Sequence, residues 1–159
     1  MKKFLKKVIC FSFISFYILK TDQIQSLVPY YYLPTKKNLD RESLSIGKNA
    51  YQLLYFGQYE ESLNLAKLAV QINKNEEKLW LILSEAQVAN KLYKNALFSI
   101  NKALKINPEN SETYFAKSNI YLKISELKNA KTALKNALRI ESNNHKAIFQ
   151  LGNIFLIEK

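Results

Sequence analysis

From residue 43 onward, apolar, small and polar positions recur along this chain with a period of 34 residues. Ala69, Ala103 and Ala137 form one series, Val70, Leu104 and Leu138 a second, and Ile72, Ile106 and Ile140 a third. Within each period the apolar residues fall three or four apart, the spacing of a single helical face, in two runs divided by a short polar break. The pattern predicts seven helices, at residues 38–56, 60–73, 77–90, 94–107, 111–124, 128–141 and 145–158, the first longer and the other six about 14 residues each. Asn110 and Asn144 stand just ahead of two of these runs, where an Asn side chain accepts a hydrogen bond from an otherwise unpaired helical N–H. Glu60, Glu61, Glu76, Glu77 and Glu112 crowd first turns, where a negative charge is favourable. One period is a helix-turn-helix unit that cannot bury its own apolar face, so copies must stack to make a core.

The units are residues 43–76, 77–110 and 111–144, and a fourth begins with a single helix at 145–159. Their pattern of an aromatic, a Leu-Gly pair, a Tyr, an Ala, a large apolar residue and a Pro resembles the tetratricopeptide repeat. The second unit matches with Trp80, Leu83, Ser84, Ala96, Ile100, Ala103 and Pro108, and has Gln87 in place of the Tyr. The third carries Tyr114, Ser118, Tyr121, Ala130, Leu134 and Ala137, with Lys117 where Leu is usual and Ser142 where Pro is usual. The first keeps Ala50, Gly57, Tyr59, Ala66 and Ala69 but has Ile46, Ser62 and Lys74 at the aromatic, alanine and proline positions. The partial fourth shows Ile148, Leu151, Gly152 and Phe155. The fold class that follows is all-α, a right-handed solenoid of three repeats plus one C-terminal helix. Small residues at Ala50, Ser84, Ser118 and Gly152 are expected where the two helices of a unit cross closely.

The resemblance implies a protein-interaction scaffold or assembly factor that takes a peptide or protein segment in a concave groove. Positions along the first helix of each unit then supply the lining: Leu44, Tyr51 and Leu54; Leu81, Glu85 and Val88; Phe115, Asn119 and Leu122; Phe149, Asn153 and Leu156. Leu122 and Leu156 are read as core or mutual cover, and Tyr51, Glu85, Asn119 and Asn153 as groove-exposed. Some family members hold acidic C-terminal tails through lysines at positions that this chain fills with Gly47 and Phe115. The apolar last helix, with Ile148, Phe149, Leu151, Ile154, Phe155, Leu156 and Ile157, gives an alternative in which copies of the chain pack through it, since terminal repeats normally present a polar outer face.

Composition narrows the chemistry. The net charge is +11, but only Arg41 and Arg139 are arginines. Nucleic-acid reading favours the planar guanidinium fork, so a nucleic-acid partner is not expected. Lys67, Lys102, Lys105, Lys131 and Lys135 fall on second helices and are read as a solvated outer face. Beyond residue 26 the chain has one histidine, His145, one aspartate, Asp40, and no cysteine. That inventory assembles no catalytic pair, metal cluster or phosphate loop, so neither an enzyme nor a cofactor or metal site is expected.

The first 26 residues follow a different pattern. Four lysines in residues 1–7 precede twelve uncharged residues, 8–19, and a polar stretch ending at Ser26, the layout of a secretory signal. Twelve helical residues reach only about 18 Å, short of a hydrocarbon core near 30 Å, so export with cleavage after Ser26 is favoured over an anchor at 8–19. The single cysteine, Cys10, lies inside that leader. Residues 27–42 are read as an extended arm and the start of the first helix. Pro29 and Pro34 keep the arm extended, and Tyr30, Tyr31 and Tyr32 either cover the first repeat or dock a partner. A leader followed by such an arm and a repeat array is similar to exported tetratricopeptide proteins of photosynthetic bacteria, a resemblance that implies a role in assembling membrane complexes in a periplasm or thylakoid lumen.

Overall fold

A computed structural model describes residues 35–157; the leader, its cleavage position and the arm tyrosines Tyr30, Tyr31 and Tyr32 lie outside the described residues. Among the described residues there are seven helices and no strand: α1 Lys36–Tyr55, α2 Tyr59–Ile72, α3 Glu77–Ala89, α4 Tyr93–Ile106, α5 Ser111–Lys123, α6 Leu127–Ile140 and α7 His145–Ile157. Each boundary falls within two residues of the expected one. At 20 residues α1 is longer than the other six, which have 13 or 14, as its expected range of 38–56 implies. Its added N-terminal turns are tied down by Asp40, whose carboxylate accepts a 2.9 Å bond from Asn73 Nδ2 at the far end of α2, and by Ser43, whose hydroxyl donates back to the Asp40 carbonyl.

Helices pack in sequential pairs, α1 on α2, α3 on α4 and α5 on α6, with α7 laid against α6. The first helices of successive units also touch directly, α1 on α3 and α3 on α5, whereas no comparable packing joins α2 to α4 or α4 to α6. The side formed by α1, α3, α5 and α7 is therefore the inner, concave one.

Contact at the crossings is set by small side chains. Ala69, Ala103 and Ala137 are fully buried, as are Ala66, Ala96 and Ala130. Ala50, Ser84 and Ser118 are buried where each first helix crosses its own second helix, and the two serines donate to carbonyls three residues back within their helix, at Leu81 and Phe115. Around these contacts the larger residues form three clusters, one about Leu63, Val70, Leu79 and Leu83, one about Ile100 and Ile120, and one about Leu134 and Ile154. Gly47 shows how tight the spacing is, since a Cβ there would lie 2.5 Å from Leu79 Cδ2 of α3.

Departures from the repeat pattern are compensated. Ser62, at an alanine position, is fully buried and donates to the Ala50 carbonyl at 2.7 Å. Gln87, at a tyrosine position, is buried and accepts from Ser99 Oγ at 2.7 Å, so one polar pair replaces an aromatic ring between α3 and α4. Trp80 is only half-buried. Its indole N–H donates to the Lys74 carbonyl at 2.8 Å and its ring meets Phe98 edge to face.

The turn inside each unit repeats as faithfully as the helices. Gly57, Lys91 and Ser125, 34 residues apart, all adopt positive φ, at 76°, 60° and 62°. The residue after each sends its N–H back to a carbonyl five residues earlier, Gln58 to Leu53, Leu92 to Gln87 and Glu126 to Tyr121. This is the left-handed C-terminal cap that glycine enters without strain. Lysine and serine pay a Cβ penalty that glycine avoids. Lys91→Gly and Ser125→Gly are each expected to raise stability by about 0.5–1 kcal/mol, measured by urea denaturation. A loss of stability in both variants would mean that the turns do not hold this conformation.

Candidate functional site: the inner face of the solenoid

The junctions between units fix the inner face. Glu77 opens α3, and its carboxylate accepts from Asn107 Nδ2 at 2.9 Å, from Thr113 Oγ1 at 2.8 Å and from Asn110 Nδ2. At the next junction Glu141 accepts from Ser111 Oγ at 3.0 Å and from Asn144 Nδ2 at 3.1 Å, and Asn144 also donates to Ser111 Oγ. The two asparagines act as helix caps as the sequence implies: Asn110 Oδ1 accepts from the Thr113 N–H and Asn144 Oδ1 from the Ala147 N–H, both at 3.1 Å. Glu77 is thus more than a first-turn charge. One carboxylate gathers three donors, Asn107 and Asn110 from the end of its own unit and Thr113 from the following one, and ties the start of α3 to the start of α5.

On the face so positioned, equivalent residues of the four first helices line up as Tyr51, Glu85, Asn119 and Asn153. Tyr51 and Asn153 are exposed, and Glu85 is half-buried. Asn119 corrects the expectation of a free groove residue: it is half-buried, and its Oδ1 accepts from Gln150 Nε2 of α7 at 2.7 Å. That bond joins α5 to α7, and Gln150 carried no signal in the repeat pattern. Leu54, Leu81, Val88, Phe115 and Leu122 are half-buried against the core clusters and form the floor. Leu44 and Phe149 are exposed at the two ends. Leu156 is 69% exposed, so its assignment to the core is overturned; α7 turns it away from α6, which takes Ala147 and Ile154 instead. At the α1 end the sequence reading missed Tyr55 and Phe56, which are exposed and meet edge to face at 5.6 Å. Tyr55 stands one turn beyond Tyr51, a spacing that places both on one face.

Elsewhere the chemistry is sparse. Among the described residues no group of three His, Cys, Asp or Glu side chains is placed to hold a metal ion. His145 is exposed in the first turn of α7. A cleft of about 90 Å³ between α5 and α6, edged by Tyr114, Lys117, Tyr121 and Asn136, is far smaller than a typical small-molecule site of roughly 300 Å³ or more. Lys117 occupies a position where Leu is usual; burial holds its ammonium below the ordinary lysine range, and Nζ donates to Asn101 Oδ1 at 2.8 Å. Among the lysines read as an outer face, Lys67, Lys105 and Lys135 are exposed, whereas Lys102 and Lys131 are half-buried with their ammonium groups over the rings of Phe98 and Phe155.

Glu85 carries the principal electrostatic perturbation of the face. Burial on the apolar floor, reinforced by the neighbouring Glu112 carboxylate, pushes its pKa from 4.5 up to about 7. The protonated acid is therefore favoured in the folded state. Its contribution to stability is present below pH 4.5 and is lost as pH rises through the folded value near 7. The melting temperature of wild type should accordingly fall relative to Glu85→Gln between pH 5 and pH 8, the two converging at the acid end. A difference that does not change over that interval would contradict the burial of this carboxyl.

The comparisons with known proteins agree with this geometry. The family model described as tetratricopeptide repeat matches residues 77–110 and 111–144. No curated protein matches the chain. Among solved structures, the first tetratricopeptide domain of Spaghetti (RPAP3) bound to the HSP90 peptide SRMEEVD superposes with a TM-score of 0.69 at 19% identity, covering 74% of this chain and 94% of that one. The Yersinia enterocolitica type III secretion chaperone SycD, in complex with a peptide of the translocator YopD, gives 0.65 at 17% identity, covering 72% and 93%. The Arabidopsis OM64 tetratricopeptide domain gives 0.68 at 16% identity, covering 73% and 96%. At these identities the likeness is one of fold. Residues 77–110 and 111–144 are tetratricopeptide repeats, and the chain is folded as an all-α tetratricopeptide-repeat solenoid.

Proposed function

We propose that this chain is a non-catalytic interaction scaffold that holds a peptide or protein segment along the face of α1, α3, α5 and α7. The observation that carries the reading is the division of labour on those helices. On α3 and α5 the opposite faces are spent on the second helices and the core clusters, while Tyr51, half-buried Glu85 and Asn153 keep polar atoms accessible in one row and Phe149 stands exposed beside it. Half-buried Leu81, Phe115 and Leu122 beneath them give apolar footing, and the polar groups above supply partners for a peptide backbone. Two structures of like fold have peptides bound, the HSP90 peptide in one and a YopD segment in the other, which supports peptide recognition as the use of this face. The lining differs from one built for an acidic tail. Gly47 is closed over by Leu79, and Glu85 and Glu112 place two carboxyl groups on this side of the stack.

Selection of random peptides on the purified protein tests the reading. Enriched peptides should bind wild type and a Leu68→Ala control on α2 equally, and should bind a Tyr51→Ala, Glu85→Gln double variant at least about tenfold more weakly, with helical circular dichroism unchanged. Peptides that bind the double variant as tightly as wild type would place recognition elsewhere.

A further inference from the structure

The cleft between α5 and α6 is a local departure from the repeat. Tyr114, Lys117, Thr132 and Asn136, which line it, correspond through the 34-residue period to Trp80, Leu83, Phe98 and Lys102. In the second unit this position is closed. Leu83 is buried, the Trp80 ring meets Phe98 edge to face, and the Lys102 ammonium lies over the same Phe98 ring. In the third unit a threonine stands where that phenylalanine would be, and the space it leaves is a cleft of about 90 Å³. At roughly 15 Å³ per water it has room for several waters or one small organic anion.

The chemistry of the lining identifies the ligand. Of the equivalent residues Asn49, Leu83, Lys117 and Leu151, only Lys117 is charged. A half-buried ammonium is costly unless an anion meets it. No acidic residue lines the cleft, and none among the described residues pairs with Lys117. Its Nζ uses one of three N–H donors on Asn101 Oδ1, leaving two. Asn129 is engaged with Glu126 and Thr132 with the Lys128 carbonyl. Tyr114, Tyr121 and Asn136, which share the lining, make no side-chain hydrogen bond among the described residues. Because no buried side-chain N or O there lacks a partner, their polar atoms are open to solvent. The cleft thus offers one positive charge, neutral donors and no carboxylate, beside two tyrosine rings and buried Ala133. We propose that it binds a short-chain monocarboxylate, whose carboxylate pairs with Lys117 while its hydrocarbon stem lies between Tyr114 and Tyr121. One ammonium matches one negative charge, whereas a phosphate dianion would keep a charge uncompensated. The depressed pKa of Lys117 agrees, since burial without an anion disfavours the charged form. A free acid and the side chain of a glutamate in a peptide present the same group. The site is independent of the peptide-groove reading, because Phe115 and Asn119 of the inner face lie on another side of α5.

Saturation-transfer NMR of propionate over the purified chain tests it. Propionate should bind saturably with a dissociation constant of about 1–10 mM. It should also raise the pH at which the Lys117 Cε resonance titrates, since a bound anion favours the ammonium, and chloride at equal ionic strength should not. Lys117→Leu, which installs the residue found at 83 and 151, should keep its helical circular dichroism and bind at least about tenfold more weakly. Thr132→Phe restores the residue of the second unit and fills the cleft while leaving the lysine in place. It should weaken binding by a similar factor, whereas attraction to the lysine charge alone would be unaffected. A capped Ala-Glu-Ala peptide separates the sources: tighter binding than propionate marks a protein side chain as the ligand, and equal or weaker binding marks a free acid. Propionate that does not saturate, or that binds wild type and Thr132→Phe equally, would overturn the proposal.

Discussion

Everything in this fold depends on how closely helices can approach at a few small side chains. Ala69, Ala103 and Ala137, with Ala50, Ser84 and Ser118, let helices meet at separations a longer side chain forbids. All six are buried. A hydrophobic core built in this way has no centre. It is distributed over three successive clusters, each shared between neighbouring units, so every unit is stable only because the next one covers it. The same constraint explains Gly47, which yields space to Leu79, and it explains why a serine at 62 is tolerated once its hydroxyl finds the Ala50 carbonyl.

Apolar packing sets the distance between units, and polar bonds set the angle. Glu77 draws Asn107, Asn110 and Thr113 to one carboxylate, and Glu141 does the same for Ser111 and Asn144. An unpaired buried polar group is costly, so a junction that satisfies all its members tolerates few other geometries. The inner face inherits its regularity from these bonds. Tyr51, Glu85, Asn119 and Asn153 form a row because the junctions repeat, and Gln150 extends the same logic by holding Asn119 to α7.

The fold was largely legible in the sequence because its signal is repeated. Helix boundaries followed from a 34-residue period, and a departure in one unit, such as Gln87 or Lys117, stands against matching residues in the others. Less legible were features that depend on pairs of residues far apart in the chain. Nothing in the local pattern around Asn119 says that Gln150 will occupy it, and nothing near Glu77 announces donors some 30 residues later. The candidate site was legible in position and less so in exposure. Phe115 and Leu81 sit in the floor, Leu156 stands in solvent, and the Tyr55–Phe56 pair escaped notice because it follows the last position that the repeat pattern assigns to the face. Unlike its neighbours, α7 packs only on α5 and α6 and meets no following helix among the described residues, which is why its residues depart from what periodicity implies.

If close approach at small residues governs the structure, adding bulk should matter only where helices touch. Urea denaturation of Ala103→Leu beside Lys105→Leu measures this within a single helix. Ala103 is fully buried between helices and Lys105 is exposed on the same helix. Overpacking at 103 should cost about 1–3 kcal/mol or more, whereas leucine at 105 should change stability by no more than about 0.5 kcal/mol. Equal effects at the two positions would contradict a stack held together by close helix crossings.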